Sequence, residues 1–252
     1  MFTLFDDPLF WLFPVAGSAI SMGAFMLFAI PMTWVAWRDP ASLRHRRIQG
    51  RRGSPENYVW PSIHRWVVNN AIMTVLIIGA WPLLRLTAVH AGPLPPWWQI
   101  AGQLVVFIYI DDFLYYWMHR SMHGKELYKR VHSVHHRLTT PWAIGAHYMH
   151  PIEFVLTATI TLAAPVLVGS HVVTIWLLVA FRQWIAAEGH CGYRIPYNPS
   201  HLFPGYGGNE FHDFHHSRFV GNYSGFLGWF DRVMGTTSAG YLEAVGAELG
   251  EP

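Results

Sequence analysis

The 252-residue chain is 52% hydrophobic and 16% aromatic but only 13% charged, with a formal net charge of +2, whereas a typical globular chain carries roughly 25% charged residues. That composition excludes an ordinary soluble domain and describes a chain whose solvent is largely lipid. A single cysteine, Cys191, excludes a disulfide scaffold and any four-cysteine iron–sulfur or zinc site made by this chain alone.

Four apolar stretches follow one another along the chain, at residues 8 to 37, 66 to 84, 97 to 118 and 152 to 181. Each reaches the roughly 20 residues needed to cross about 30 Å of hydrocarbon. The first carries Pro14 and Pro31, which membrane helices tolerate, and it has neither the basic lead nor the small-residue cleavage site of a signal peptide, so a retained helix is expected. The loop after it holds Arg38, Arg44, Arg46, Arg47, Arg51, Arg52 and Arg65, whereas residues 85 to 96 hold only Arg85. The positive-inside rule therefore puts the 38 to 65 loop in the cytoplasm and the 85 to 96 loop on the far side.

Histidine clusters flank the fourth stretch, at 119 to 136 and 190 to 216. One crossing would separate them, so a shared site demands an even number of crossings. Thirty helical residues would also span about 45 Å, too long for one upright pass. With Ala163, Ala164, Pro165, Gly169 and Ser170 near its middle, the stretch reads as a helical hairpin dipping into the bilayer; one tilted helix is the alternative. The expected fold is an all-α integral membrane protein with three spanning helices, a membrane hairpin over 152–181 and a cytoplasmic histidine-rich helical cap. Its expected parts are N-terminal membrane helices and a basic loop over 1–100, a catalytic region over 101–240 and a tail over 241–252.

Of the 16 histidines, nine form a pattern. His119 and His123 are i and i+4 on one helical face, with Asp112 two turns earlier. His132, His135 and His136 form one HxxHH triplet, and His212, His215 and His216 form a second. The fourth and fifth positions of such a triplet point about 100° apart, which suits two ions: one imidazole reaches each, and the first histidine joins one of them. His190 completes a set too large for one ion and sufficient for two. His147, His150 and His201 are weaker candidates, while His45, His64, His90 and His171 have no partner at ligand spacing.

Imidazole alone does not select among iron, zinc and copper. Redox work beside a lipid-facing cavity requires an ion that changes oxidation state, which zinc does not, so two iron ions are expected. Acidic partners should hold the outer ring nitrogens; Asp112, Glu153, Glu188, Glu210 and Asp213 are the carboxylates near the clusters, with Asp112 and Glu188 assigned to the catalytic apparatus. No GxGxxG motif or cysteine cluster accompanies them, so electrons should come from a separate NAD(P)H-dependent reductase through a ferredoxin or cytochrome. The arginine-rich loop at 44 to 52 is a candidate dock for that carrier, although topology and lipid head-group contact explain it more simply.

The ordered elements H119-R-S-M-H123, H132-S-V-H135-H136, H150-P-I-E153, H190-C-G-Y193 and H212-D-F-H215-H216, followed by N222-Y223 and W229-F-D231-R-V-M-G235-T236, resemble the fatty acid hydroxylase and sterol desaturase superfamily over residues 105 to 237. The HPxE, HxGY and closing WxDxxxGT elements are most similar to the C-4 methylsterol oxidase branch. Ala186 departs from the pattern, standing where some relatives place another histidine, as do Cys191 and Arg194. The resemblance implies a di-iron centre on the nine histidines that activates dioxygen to hydroxylate a lipid, a sterol among the options; the apolar stretches and the arginine bias add the expectation of a multi-pass protein with its catalytic face cytoplasmic, in a bacterial inner membrane. A lipid desaturase with the same centre and a histidine-rich metal transporter are the alternatives; a nucleic-acid partner is not expected. A transporter should place its ligands within the apolar spans, and here they lie just beyond them.

Overall fold

The computed structural model describes residues 4–50 and 56–243. Arg51 and Arg52 of the basic loop and residues 244–252 of the expected tail lie outside the described residues. Among those described there is no strand beyond isolated bridges, and the chain is all-α.

Helix α1 runs Pro8–Arg38, with a π-helical stretch at Trp11–Val15 around Pro14. The wider π turn accommodates a residue that lacks an N–H and clashes with the carbonyl of the preceding turn. Helix α1 ends at Asp39, whose left-handed backbone (φ 45°) lets its N–H return to the Val35 carbonyl. Helix α2 spans Glu56–Gly79 and α3 spans Trp97–Met122, the latter entered through Pro95 and Pro96. Helix α2 thus starts about ten residues before the apolar stretch that announced it; further along, Asn69 donates to the His147 and Met149 carbonyls and holds the loop that carries His147 against it.

The fourth stretch is a helical hairpin of α4, Pro151–Leu167, and α5, Val172–Gly189. Its turn falls at Val168–His171, slightly beyond the proline, because Pro165 is accommodated in the last turn and offers its carbonyl to the Ser170 N–H. Gly169 makes the turn possible: its φ is +67°, and a Cβ there would lie 2.9 Å from the Ala88 backbone. Each arm opens on a histidine cap, His150 accepting from the Ile152 N–H and His171 from the Val173 N–H. At the tip, the 85–96 loop pairs with the turn through His90 and Val172, and the His171 ring reaches the Gly92 carbonyl. At the open end, both arms reach the histidines, Glu153 from the first and His190 from the second. A single tilted helix is thereby overturned.

Helix α1 lies against α5 along its length, with Phe25, Ala29 and Ala36 of α1 buried beside Ala187 and Cys191. Small residues permit this close approach, which matters where apolar surroundings remove the hydrophobic drive and leave packing to hold helices together. Helices Pro8–Arg38 and Val172–Gly189 are long and apolar enough to cross a membrane. Helices α2 and α3 have the length, but their buried Asn69, Asn70, Asp111 and Asp112 dilute the apolar character. Outward-facing Leu27, Ile30, Trp34, Val75, Val105 and Val106 are exposed, as lipid-facing side chains are.

Candidate metal centre

The C-terminal end of α3 delivers His119 and His123 one turn apart. A short 3₁₀ segment, His132–Arg137, supplies His132, His135 and His136, and helix α6, Asn209–Arg218, supplies His212, His215 and His216. These elements meet the α5 terminus, where His190 follows the last helical residue. The nine imidazoles sort into two groups. His119, His123, His132, His136 and His215 form one, and His135, His190, His212 and His216 form the other, with donor atoms within 4.8 Å of one another in each. Each HxxHH triplet is split, as the angular argument requires: the fourth and fifth histidines enter different groups, and the first joins the fifth.

The ring nitrogens reveal why the groups take this form. Nδ1–H groups donate outward to fixed carbonyls: His119 to Tyr223 (2.6 Å), His215 to Gly221 (2.7 Å), His190 to Ala186 (2.8 Å), His216 to Leu138 (3.0 Å) and His135 to Tyr148 (3.4 Å). His132 donates instead to Glu153 Oε1 at 2.8 Å. With the proton on Nδ1, the Nε2 lone pairs point inward. In the five-histidine group neighbouring Nε2 atoms lie 2.9 to 3.2 Å apart, and in the four-histidine group 3.1 to 3.3 Å. Metal–nitrogen bonds of about 2.1 Å give ligand edges of about 3.0 Å in an octahedron and about 3.4 Å in a tetrahedron. Lone pairs facing each other at such spacing, with no proton between them, repel unless a cation lies at their focus. The donor set therefore fits two metal ions.

Burial keeps these rings neutral. It holds His123 down to about 3, His136 to about 2 and His190 to about 4, and drives His132, His135, His212, His215 and His216 well below the usual imidazole value, with neighbouring imidazoles adding to the effect. A neutral ring is the ligating form.

The five carboxylates expected near the clusters take different partners. Of the five candidates, Glu153 bonds a clustered ring, accepting from His132 Nδ1. Asp112 accepts the Phe226 N–H, fixing the closing loop against α3. Glu188 accepts from Asn198, Ser200 and Tyr206, which fix the 198–206 segment against α5. Asp213 accepts from Gln49, which ties the basic loop over α6. Glu210 belongs to the first turn of α6. Backbone carbonyls do most of the orienting, and their positions depend on a loop that folds from distant sequence. His147 is buried and stacked on Phe25 at 4.0 Å, outside both groups; His150 is a helix cap and His201 faces Asn198 and Tyr206.

The closing motif gains a role that its residue types alone do not reveal. Asp231 accepts the Tyr223 and Ser224 N–H groups and the Thr236 hydroxyl, while Asn222, at φ 55°, bonds the Phe211 carbonyl and the Ser238 N–H. Together they present the Gly221 and Tyr223 carbonyls to His215 and His119. Gly221 is held at φ +75°, and a Cβ there would lie 2.6 Å from the Thr236 oxygen. The basic loop is also engaged: Arg44 and Arg47 pair with Asp39, which accepts from the Tyr193 hydroxyl as well.

Residues 104–236 match the fatty acid hydroxylase family. Methylsterol monooxygenase 2-2 of Arabidopsis thaliana is 39% identical over 165 residues, covering 64% of this chain and 62% of that relative. Methylsterol monooxygenase 2-1 of the same plant is 31% identical over 250 residues, 93% of this chain and 90% of the relative. Very-long-chain aldehyde decarbonylase GL1-8 of Oryza sativa subsp. indica is 42% identical over 147 residues, 57% of this chain and 55% of the relative. No solved structure matches. Because the family match takes in more than half the chain and all nine clustered histidines, and the likeness to the second relative runs nearly end to end, this protein belongs to the fatty acid hydroxylase family.

Proposed function

We propose that this protein is a membrane-bound di-iron oxygenase that hydroxylates a C–H bond of a lipid, of the sterol class that its methylsterol monooxygenase relatives' names suggest. The observation that carries the reading is the pair of inward-facing Nε2 groups, whose mutual repulsion only a cation relieves. Two iron ions held there would supply activation of dioxygen with two electrons from outside the chain. Five and four neutral donors leave vacant positions at six-coordinate ions, so a small molecule has access to them. Neutral ligands place no negative charge at the centre; Glu153 holds the tautomer of His132 from behind and, ionised beside bound metal, would supply that charge and raise the ring's basicity.

The chain's residues also supply a place for a lipid. A cavity with about 890 Å³ of empty space, counting its mouth, is enclosed by α1, α2, α4 and α5. It abuts the four-histidine group through Ala186, whose carbonyl orients His190, and through Met149, next to the Tyr148 carbonyl on His135. The two hairpin arms, each about 26 Å long at 1.5 Å per residue, join this end to the 85–96 loop. In the proposed topology α1, α2 and α3 span the membrane, the hairpin is immersed beside them, and the arginine-bearing loop and both histidine groups face the cytoplasm. A reductase with a small acidic carrier would then approach from that side, where His123 is partly exposed.

The test is mass spectrometry of lipids from cells with and without the protein, with a competent reductase, in air and under ¹⁸O₂. A product 16 mass units heavier, with the added oxygen labelled, is expected; a product 2 units lighter without label would assign desaturation. An unchanged lipid profile would overturn the oxygenase reading.

A further inference from the structure

The cavity beside the four-histidine group is graded in polarity along its length. Toward the histidines the lining carries Ser21, Asn70, His147 and Gln183 beside the apolar Met149, Phe154 and Ala186, whereas Phe13, Ile77, Leu162 and Ile175 line the end further away. On α1, Ser21 lies one turn from Phe25, which stacks on His147, whereas Phe13 is two turns more distant. On α2, Asn70 follows the Asn69 that holds the His147 carbonyl, whereas Ile77 lies about 10 Å further along. On α4 and α5, Thr157 and Gln183 stand near the histidines, and Leu162 and Ile175 stand away from them.

Two polar groups in this near end lack partners. His147 is 7% exposed and its Nδ1 makes no hydrogen bond, although the ring lines the cavity. Gln183 spends its amide N–H on Ser21, leaving a buried Oε1 unpaired in the same lining. An unsatisfied buried polar group destabilises the fold, so their retention points to a ligand that satisfies them. Burial lowers His147 to about 3 and keeps it neutral, able to donate and to accept. The one permanent cation in the lining, Arg182, is paired with Asp111 at 3.0 Å and lies over the Tyr115 ring. The near end therefore offers polar groups without an unpaired cation.

We propose that His147 and Gln183 form a hydrogen-bonding clamp for an uncharged oxygen function, a hydroxyl, on an otherwise apolar lipid, which enters with that group nearest the metal centre. A hydroxyl donates to Gln183 Oε1 and accepts from the His147 ring, while the apolar body fills the end lined by Phe13, Ile77, Leu162 and Ile175. The carbon presented for oxidation is then close to the hydroxyl and not at the distant end of the molecule. The placement of the oxidised carbon rests on the oxygenase reading; the clamp itself does not.

The test is equilibrium binding to the purified, metal-loaded protein of three probes that differ only in the head: cholesterol, cholest-5-ene without the hydroxyl, and cholesteryl sulfate. The wild type should prefer cholesterol over both by at least about tenfold. His147→Phe preserves the ring packing on Phe25 and removes the donor and acceptor; Gln183→Leu removes the unpaired oxygen. Each should collapse the preference over cholest-5-ene to within about twofold while metal content stays at the wild-type level. Equal binding of cholesterol and cholest-5-ene by the wild type, tighter binding of the sulfate, no binding of any probe, or an undiminished preference in both variants would overturn the clamp. A preserved preference in a protein that yields no ¹⁸O-labelled lipid would instead overturn the oxygenase reading and leave the clamp standing.

Discussion

The two histidine groups share a ligand type but differ in what surrounds them. The five-histidine group reaches solvent through His123 and takes its orientation from the Gly221–Tyr223 carbonyls and Glu153. The four-histidine group is wholly buried and takes its orientation from Tyr148, Leu138 and Ala186, beside the cavity. One group has a route to the surface and the other borders the cavity. That difference teaches how a nearly symmetric pair of HxxHH motifs serves unlike ends of one reaction: one motif's neighbours define an approach from water, the other's an approach from an apolar cavity.

Removing a ligand from either group should have the largest effect and should show whether the groups act as one centre. His135→Ala and His215→Ala are each expected to lower turnover by about a thousandfold or more, with the protein still membrane-inserted, because a coupled centre fails as a unit. If one variant retained turnover near wild type, the groups would be independent. Metal analysis adds a second reading: about two irons per chain in wild type purified under iron-replete, metal-free-buffer conditions, and less in either variant.

Glu153→Gln should sharpen the contrast between carboxylate and carbonyl support. The amide keeps a hydrogen bond to His132 but removes the charge behind it, and a loss of roughly 10- to 100-fold in metal affinity is expected by competition with a chelator. Asp231→Ala acts on the same five-histidine group through the Gly221–Tyr223 loop. It should lower iron occupancy, and infrared or X-ray absorption spectra should report altered metal–imidazole geometry, while the Tyr148 and Ala186 supports of the other group stay intact.

Acid should weaken both groups together. The clustered histidines have folded-state values below the unfolded imidazole value of about 6.5, with His123 at about 3 and His190 at about 4. The unfolded chain therefore binds more protons between those values, and stability present above about pH 6.5 is lost as pH falls toward 4. Melting temperature of the metal-free protein should decline across this window, and metal should dissociate in the same range. A flat profile from pH 7 to 4 would contradict neutral buried rings.

His171→Ala should have the smallest effect. Its ring caps α5 and contacts His90 at the hairpin tip, remote from both groups. Loss of a cap costs about 1 kcal/mol, read as a small fall in melting temperature, with activity and iron content unchanged. A large loss of iron in this variant would show that the tip is coupled to the centre.

Residue types and their spacing already contained the nine metal-ligand candidates, the split of each HxxHH triplet and the need for a hairpin, because helical periodicity fixes angular direction and clusters on both sides of an apolar stretch must meet. The sequence also contained the all-α character, through four apolar stretches without strand alternation. Only the tertiary structure decided the outer partners of the rings. Asp112 and Glu188 looked like ring-holding carboxylates by proximity along the chain, yet they bind the Phe226 N–H and the 198–206 segment. Any backbone carbonyl can accept an Nδ1–H, so no residue type announces that Tyr148, Ala186, Gly221 and Tyr223 will do so; the choice follows from where the chain passes. The cavity's polarity gradient has the same origin, since Ser21, Asn70, His147 and Gln183 are unremarkable on their own helices and loop, and acquire a common chemistry only when packing brings four distant segments around one space.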